Sequence, residues 1–294
     1  MTKRLTDISY SFFAVLLSVF LLTACSHDSV QERLNRADTI AQKAGFQKTK
    51  WAGGTYLDIV GYDNYDAVTA RKKGDEFSTP ARVARIFIEG DGYAWITPSR
   101  ISPNPTPREP VGLKMATKDC SEVVYYMGRP CQYQDLRFVG ECTPEYWTSL
   151  IYSTQVVDAY HAALDKIKET TTIQKFELVG YSGGATVAAR LAHERDDVVL
   201  LMSVAGNMDT EGFTDFHRVS PYDEHVNPRD IAPYINVPQI HMVGADDEVV
   251  KPFLVKNYVK RLSSDTVYRY YIVKNAGHHA QWPDIWQQYK LCFE

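Results

Sequence analysis

The chain reads FELVGYSGGATVAA from Phe176 to Ala189. Its first part is apolar and rich in residues that favour β-strands, and its last part has the small side chains of a short, closely packed helix. Between them lies GYSGG (residues 180–184), a G-x-S-x-G pattern. The glycines leave room for a strained, tight turn around the serine. The stretch therefore predicts a strand, a turn that exposes the Ser182 hydroxyl, and a helix whose N-terminus favours negative charge near that hydroxyl.

Apolar, strand-like runs recur along the chain and alternate with helical patterns in its second half. The runs are Tyr56–Val60, Val83–Ile88, Val123–Met127, Phe176–Val179, Val198–Val204, Gln239–Val243 and Val267–Val273. The helical patterns are Val30–Ala44, Tyr146–Ile167, Ala185–Ala192 and Phe253–Leu262. Such alternation predicts an α/β fold with a mostly parallel sheet covered by helices on both faces. In sheets of this kind the chemistry lies beyond the carboxyl ends of the strands, so polar residues there are the candidates for function.

Composition and charge indicate a globular protein and argue against a nucleic-acid partner. The 294 residues are 45% hydrophobic and 23% charged, which is typical of a globular chain long enough to bury a sizeable core. The net charge is −4, and the longest basic run is only Arg71-Lys72-Lys73. A nucleic-acid partner is therefore not expected.

A serine becomes a nucleophile when a base takes its proton and an acid orients that base. The run Gln239–Val243 ends in GADDEVV (residues 244–250). The spacing G-x-x-D-x-x-V selects Asp247 as the orienting acid, with Asp246 as the alternative. The other interpretation of these acids is N-capping of the helix predicted at Phe253–Leu262, and the two roles can coexist.

The base is expected in the loop after the last strand. That loop reads NAGHHAQW (residues 275–282), and His278 directly follows Gly277. We interpret His278 as the base, with His279 as the alternative. The other histidines have no comparable position and are interpreted as surface or packing residues.

Two backbone N–H groups are needed to stabilise the oxyanion of an acyl-transfer reaction. One should belong to Gly183, which follows the serine. The other should come from the glycine-containing loop after the strand Val83–Ile88, where Asp91 is the predicted donor through its N–H and Gly90 is the alternative. A plain turn is the other interpretation of this loop.

These motifs together resemble the α/β-hydrolase superfamily over roughly residues 55–290. They are IEGDG (residues 88–92), GYSGG, GADDEVV and the Gly277-His278 step. NPTPR (residues 104–108), YMGRPCQY (126–133) and AGNMD (205–209) look closest to bacterial lipoprotein α/β hydrolases. One departure is Glu89-Gly90 where many members have His-Gly, which leaves open how the loop is supported by side chains.

The resemblance implies a sheet of about eight strands and a Ser-His-Asp hydrolase that acts on a small-molecule acyl substrate. No cofactor and no metal are implied. Ester cleavage is the first expectation, with amides, thioesters and peptides as variants. The rival hypotheses are an acyltransferase with the same triad and a non-catalytic envelope protein that kept the fold. Substrate identity and oligomeric state do not follow from the sequence.

The N-terminus looks like the leader of a bacterial lipoprotein. Lys3 and Arg4 precede a short apolar stretch that ends in LTAC (residues 22–25), which resembles a lipobox. The resemblance implies a signal peptide at residues 1–24, lipidation of Cys25, and attachment to the bacterial membrane. Ser26 favours the outer membrane, facing the periplasm. The alternatives are an ordinary secretory signal and a retained signal anchor.

Residues 25–54 are then expected to form a tether and N-terminal edge, and residues 55–294 the hydrolase domain. Within that domain we expect residues 97–110, rich in proline, and residues 205–237 to shape specificity. Trp95, Trp147 and Trp282 are candidates for lining a cleft.

Export to an oxidising compartment permits disulfide bonds. Four cysteines remain after Cys25 and allow three pairings. Cys131–Cys142 is the preferred bridge because it closes a short loop. Cys120 then pairs with Cys292 or stays free, and a zinc site is the alternative for these cysteines.

Overall fold

The computed structural model describes residues 28–51, 57–73 and 80–289. The predicted signal peptide, Cys25 and Cys292 lie outside these residues. No helix in the described part of the chain combines the length and the apolar character needed to cross a bilayer.

Within those residues, eight strands form one sheet in the order β1-β2-β6-β3-β7-β8-β9-β10. Strand β2 runs antiparallel to both of its neighbours, and all the other neighbouring strands in this sheet are parallel. Two short strands, β4 and β5, pair separately as an antiparallel ribbon. The strands are β1 Gln47–Trp51, β2 Ile59–Asp63, β3 Val83–Ile88, β4 Trp95–Thr97, β5 Arg100–Ile101, β6 Val124–Met127, β7 Lys175–Tyr181, β8 Val198–Val204, β9 Gln239–Gly244 and β10 Tyr268–Val273. The mostly parallel sheet of about eight strands is confirmed.

Helices cover both faces of the sheet. They are α1 Val30–Lys43, α2 Tyr65–Lys72, α3 Val111–Ala116, α4 Thr154–Thr170, α5 Gly184–Glu194, α6 Thr210–His217, α7 Pro228–Ile231, α8 Pro252–Val259 and α9 Trp282–Tyr289. Short 3₁₀ turns occur at Leu136–Phe138, Pro144–Trp147 and Ala232–Tyr234.

The sheet separates two hydrophobic cores. Strand β3 shows why: Phe87 points into the core beneath α1, α3 and α9, whereas Ile86 and Ile88 point into the core beneath α4 and α5. Side chains of a strand alternate between faces, so a strand covered on both sides must be apolar throughout. This is the reason that the central runs of the sequence are continuously apolar.

Helix α1 is part of the folded body. Ser29 and Glu32 form a reciprocal capping box at its start, with each side chain accepting from the other residue's N–H. Ala37 and Ala41 are fully buried against the sheet. The segment before residue 54 therefore contributes a helix and the edge strand β1 to the structure.

The predicted helix at Tyr146–Ile167 begins later than expected. Residues Pro144–Trp147 form a 3₁₀ turn, and α4 starts only at Thr154. The indole of Trp147 is buried and donates to the carbonyl of Ser102. This contact ties residues 144–147 to the proline-rich stretch, outside helix α4. The apolar spacing here therefore marks core contacts on two separate elements.

Candidate active site

Ser182 lies in a sharp turn between β7 and α5. Its φ is +50°, a left-handed conformation that non-glycine residues adopt rarely. Its N–H donates to the carbonyl of Val204 and its own carbonyl accepts from Asn207, both at 3.0 Å. A Cβ on Gly180 would lie 2.3 Å from the Cα of Ala185, so only glycine allows the helix to turn back so closely. The turn holds the Ser182 hydroxyl at the carboxyl end of the sheet.

His278 lies in the loop between β10 and α9, and its imidazole reaches the serine. The Nε2 atom is 2.9 Å from the Oγ of Ser182. The backbone carbonyl of His278 accepts from the hydroxyl of Tyr181 and from the indole N–H of Trp282, both at 3.0 Å. The ring of Tyr181 also stacks on the imidazole, with 5.7 Å between centroids. Neighbours on two sides therefore fix the position of the imidazole.

Asp247 completes a hydrogen-bonded chain. Its Oδ2 is 2.9 Å from the Nδ1 of His278. Its Oδ1 accepts from the N–H groups of Val249 and Val250 at 2.9 and 2.7 Å. The carboxylate is buried, with 1% of the residue exposed. The tautomer that satisfies both contacts of the imidazole carries its proton on Nδ1, which leaves Nε2 free to accept from the serine.

The two alternatives to these residues are not part of this hydrogen-bonded chain. Asp246 is exposed. His279 is also exposed, and its ring packs against that of His278 with 5.0 Å between centroids. Partial burial and the neighbouring His278 lower the pKa of His279. The structure thus brings together Ser182, His278 and Asp247, the first choices of the sequence analysis.

The loop after β3 presents an unpaired N–H next to the serine. The N–H of Gly90 donates to the carboxylate of Glu89 at 3.0 Å, so it is occupied. For the N–H groups of Asp91 and Gly183, no acceptor lies among residues 28–51, 57–73 and 80–289. A Cβ on Gly90 would come within 3.1 Å of the Cβ of Ser182, which shows how closely this loop approaches the serine. Asp91 and Gly183 therefore have the two free donors, as the motif predicts.

The sequence left open which side chains support this loop, and the structure shows that Glu89 is one of them. Its carboxylate is buried and accepts from the N–H groups of Gly90 and Gly112 and from the hydroxyl of Tyr126. Burial raises the pKa of Glu89, and these donors oppose the rise. The glutamate thus ties the loop to α3 and β6 through its carboxylate.

A turn at residues 128–133, which we call the supporting turn, holds the loop from the other side. Arg129 forms an ion pair with Asp91 at 3.1 Å, and the side-chain amide of Gln132 donates to the carbonyl of Gly90 at 3.1 Å. Cys131, between them, forms a disulfide bond with Cys142, the bridge that the sequence analysis prefers. Cys120 is also disulfide-bonded. Among the described residues, no three His, Cys, Asp or Glu side chains gather as a metal site would require.

A cleft of about 850 Å³ opens over Ser182 and His278. Its walls include the loop at residues 89–93, residues 107–109 of the proline-rich stretch, residues 278–281, and Ile40 of α1. No residue of the stretch 205–237 lines the cleft. The expectation that this stretch shapes specificity is therefore not met. The proline-rich stretch does contribute, with Arg108 stacked over the ring of Tyr93 at 3.9 Å.

None of the three candidate tryptophans lines this cleft. Trp147 and Trp282 are buried, and their indole N–H groups bind backbone carbonyls. Trp95 is exposed on the small ribbon of β4 and β5. Large aromatic side chains are more often packing residues than pocket linings, and here two of them fix loops around the cleft.

The fold is similar to several solved structures. An esterase of Pyrococcus furiosus superposes with a TM-score of 0.55 at 13% identity, over 83% of this chain and 87% of that one. A homologue of α/β serine hydrolases from Coxiella burnetii gives 0.54 at 17% identity, over 84% and 97%. The chain has the α/β-hydrolase fold. Est1E of Butyrivibrio proteoclasticus, solved with ferulic acid bound, gives 0.53 at 10% identity, over 83% and 98%. Neither a protein-family model nor a curated protein sequence matches this chain.

Proposed function

We propose that this protein is a serine hydrolase that cleaves a carboxylic ester, or a related acyl bond, through an acyl-enzyme on Ser182. One observation carries the proposal. The Oγ of Ser182 is 2.9 Å from Nε2 of His278, and Nδ1 of the same imidazole is 2.9 Å from Oδ2 of Asp247. Such a chain of contacts lets a neutral imidazole take the serine proton while the buried carboxylate stabilises the resulting imidazolium.

The first half of the reaction forms the acyl-enzyme. The Oγ of Ser182 attacks the carbonyl carbon as its proton passes to Nε2 of His278, and the carbonyl π electrons move to the oxygen. The N–H groups of Asp91 and Gly183 stabilise that oxyanion, which is why it matters that both lack another acceptor. When the tetrahedral intermediate collapses, the bond to the leaving alcohol breaks and His278 returns the proton to the alcohol oxygen.

The second half regenerates the serine. A water molecule gives one proton to Nε2 of His278 as its oxygen attacks the acyl carbon. The acid then leaves as the bond to Oγ breaks, and the proton on His278 returns to Ser182. The solved esterase of Pyrococcus furiosus, which has a similar fold, supports an ester as the first class of substrate to test. An acyltransferase would use the same steps with an alcohol in place of water, and adding an alcohol to the assay and analysing the products distinguishes the two.

The proposal includes a location in the bacterial cell envelope, through lipidation of Cys25. The support is the sequence LTAC and the apolar stretch before it. We propose an outer-membrane protein that faces the periplasm. Incorporation of labelled palmitate into the wild type, and its loss in Cys25→Ala, tests the anchor independently of the chemistry.

A fluorophosphonate probe tests the nucleophile, because it phosphonylates only an activated serine. We expect the wild type to be labelled and to hydrolyse p-nitrophenyl acetate, and Ser182→Ala to lose both. Ser203→Ala is the matched control, since Ser203 also bonds a histidine, at 2.8 Å from Nδ1 of His241, but both residues are fully buried. Labelling that persists in Ser182→Ala contradicts the proposed function.

A further inference from the structure

The side chain of Asp91 has no part in the proposed mechanism, although it lies in the cleft. The mechanism uses only the N–H of Asp91, which any residue except proline would supply. Yet 34% of this side chain remains accessible, and Asp91 lines the cleft beside Ser182. A carboxylate next to a developing negative charge is unfavourable by itself, so its presence needs a separate explanation.

The carboxylate lies close to the reacting group. A Cβ on Gly183 would lie 1.9 Å from the Oδ1 of Asp91, so the carboxylate rests directly on the Cα of Gly183. Consecutive Cα atoms are about 3.8 Å apart. The Oδ1 of Asp91 is therefore within about 7 Å of the Cα of Ser182. That distance suits contact with atoms one or two bonds from the carbonyl that Ser182 attacks.

Two buried donors hold the inner side of the carboxylate. The Nη1 of Arg129 is 3.1 Å from Oδ1, and the hydroxyl of Tyr152 is 3.4 Å from Oδ1 and 3.3 Å from Oδ2. Arg129 and Tyr152 are 2% and 1% exposed, so both approach from behind the cleft. Burial raises the pKa of Asp91, and the positive charge of Arg129 and the hydrogen bond from Tyr152 oppose that rise and favour the ionised carboxylate.

The outer side of the carboxylate has acceptor capacity to spare. An ionised carboxylate can accept about four hydrogen bonds, and these two residues supply the only donors to Asp91 in the described part of the chain. A substrate seated over Ser182 takes the place of water there. An aliphatic group would leave acceptor positions buried and unsatisfied, which is costly, whereas a donor group would satisfy them.

We propose that the Asp91 carboxylate selects acyl groups that carry a hydrogen-bond donor, a hydroxyl or an ammonium, on the carbon next to the scissile carbonyl. This inference rests on the proposed function and adds the substrate class to it. Plain fatty-acyl esters are then poor substrates. Hydroxyacyl and aminoacyl esters both carry such a hydrogen-bond donor. They differ in charge, because the hydroxyl is neutral and the ammonium is positive.

The test compares three phenyl esters of nearly equal size, using the full chain in detergent. They are the esters of isobutyric acid, lactic acid and alanine, which carry a methyl, a hydroxyl or an ammonium at one position. The measurement is kcat/KM divided by the rate constant for hydroxide-catalysed hydrolysis, which removes intrinsic reactivity. We expect at least one donor-bearing ester to exceed the isobutyrate ester by about tenfold or more.

Variants assign the preference to this side chain. Asp91→Ala should reduce the ratio to within about threefold, because the acceptor is gone. Asp91→Asn keeps an acceptor oxygen without charge, so it should retain a preference for the lactate ester and lose one for the alanine ester. Asp265→Asn is the control, because Asp265 is an exposed acid outside the cleft, and it should leave the ratio unchanged.

Two results overturn the inference. One is a wild type that hydrolyses neither donor-bearing ester faster than the isobutyrate ester. The other is a preference that survives in both Asp91 variants. Either result leaves the proposed function intact as long as the fluorophosphonate labels Ser182, so the two failures can be told apart.

Discussion

At the residue scale, His278 and His279 are adjacent in the chain but differ in what they touch. His278 is 7% exposed and bonded on both ring nitrogens, whereas His279 is exposed and its ring packs against that of His278. We expect His278→Ala to lower kcat at least about 10,000-fold. His279→Ala should lower it less than about tenfold. Steady-state kinetics on p-nitrophenyl acetate check this, and equal losses in the two variants would contradict the assignment.

Asp247 and Asp246 provide a second matched pair. In Asp247→Asn the amide oxygen should stay with the N–H groups of Val249 and Val250, which turns the NH₂ group toward Nδ1 of His278. The imidazole must then carry its proton on Nε2, where it cannot accept from the serine. We expect kcat to fall about 10,000-fold.

Asp246→Asn is the control, since Asp246 is exposed and it is Asp247 that bonds the imidazole of His278. Its kcat should stay within about twofold of the wild type. Circular dichroism on both variants checks that they are folded. A similar loss in the two variants would mean that the carboxylate at 247 does not orient the base.

The sequence could predict the residues that carry a motif but not those that support them. Ser182, Asp247 and His278 each follow a strand at a spacing that their chemistry requires. Tyr181 and Trp282 hold the carbonyl of His278, and no local pattern distinguishes such tyrosines and tryptophans from ordinary core residues. Trp282 was a candidate for the cleft because its position was predictable and its orientation was not.

Glu89 illustrates the same limit. From the sequence it is only a departure from a motif, because two of the three donors to its carboxylate come from residues 23 and 37 positions away. Long-range partners of a buried acid are set by the packing of α3 and β6, which the chain's local pattern does not contain.

At the scale of elements, the supporting turn connects the disulfide to the loop at residues 89–93. Cys131 lies between Arg129 and Gln132, the two side chains that bind the loop. The bridge to Cys142 spans a sequence separation of 11 residues. A loop of that length stabilises the native state by about 3 kcal/mol in the chain-entropy model.

Cys131→Ala/Cys142→Ala should therefore lower the free energy of unfolding by about 3 kcal/mol. It should also lower kcat several-fold more than KM changes, because the oxyanion donor of Asp91 loses its support. Urea denaturation and kinetics measure the two effects. Glu141→Ser, an exposed change in the same loop, should alter neither the stability nor kcat. An unchanged kcat in the cysteine variant would show that the bridge does not support the site.

The elements that the sequence predicted best are those buried on both faces. The runs Val83–Ile88 and Val198–Val204 are strands with the predicted bounds. Edge strand β1 was missed, because QKTKW faces solvent along much of its length and has no apolar run. Helices α3 and α9 were missed as well, since six to eight residues are too few to establish a helical period.

At the scale of the whole molecule, acid stability depends on a histidine far from the cleft. His241 is fully buried in β9, where it bonds Ser203 at 2.8 Å and Gln239 at 3.0 Å. Burial lowers the pKa of His241 from 6.5 to about 3. The unfolded chain therefore takes up a proton below pH 6.5 that the folded protein does not, and folding weakens as the pH falls toward 3.

We expect the free energy of unfolding to fall by about 1.4 kcal/mol per pH unit across that window from this group alone. His241→Gln removes the titration, so its stability should depend less steeply on pH. Urea denaturation of both proteins between pH 4 and 7 measures the difference in slope. Parallel curves would show that His241 titrates normally in the folded state.

The placement of α1 limits how the chain can be shortened. Ile40 lines the cleft, and the buried guanidinium of Arg33 donates to the carbonyls of Asn104 and Thr106 in the neighbouring proline-rich stretch. This helix begins at Val30, only five positions after Cys25. A shortened version for crystallisation should therefore begin just after Cys25, because a cut at residue 55 would strip Ile40 from the rim above Ser182 and Arg33 from the segment it braces.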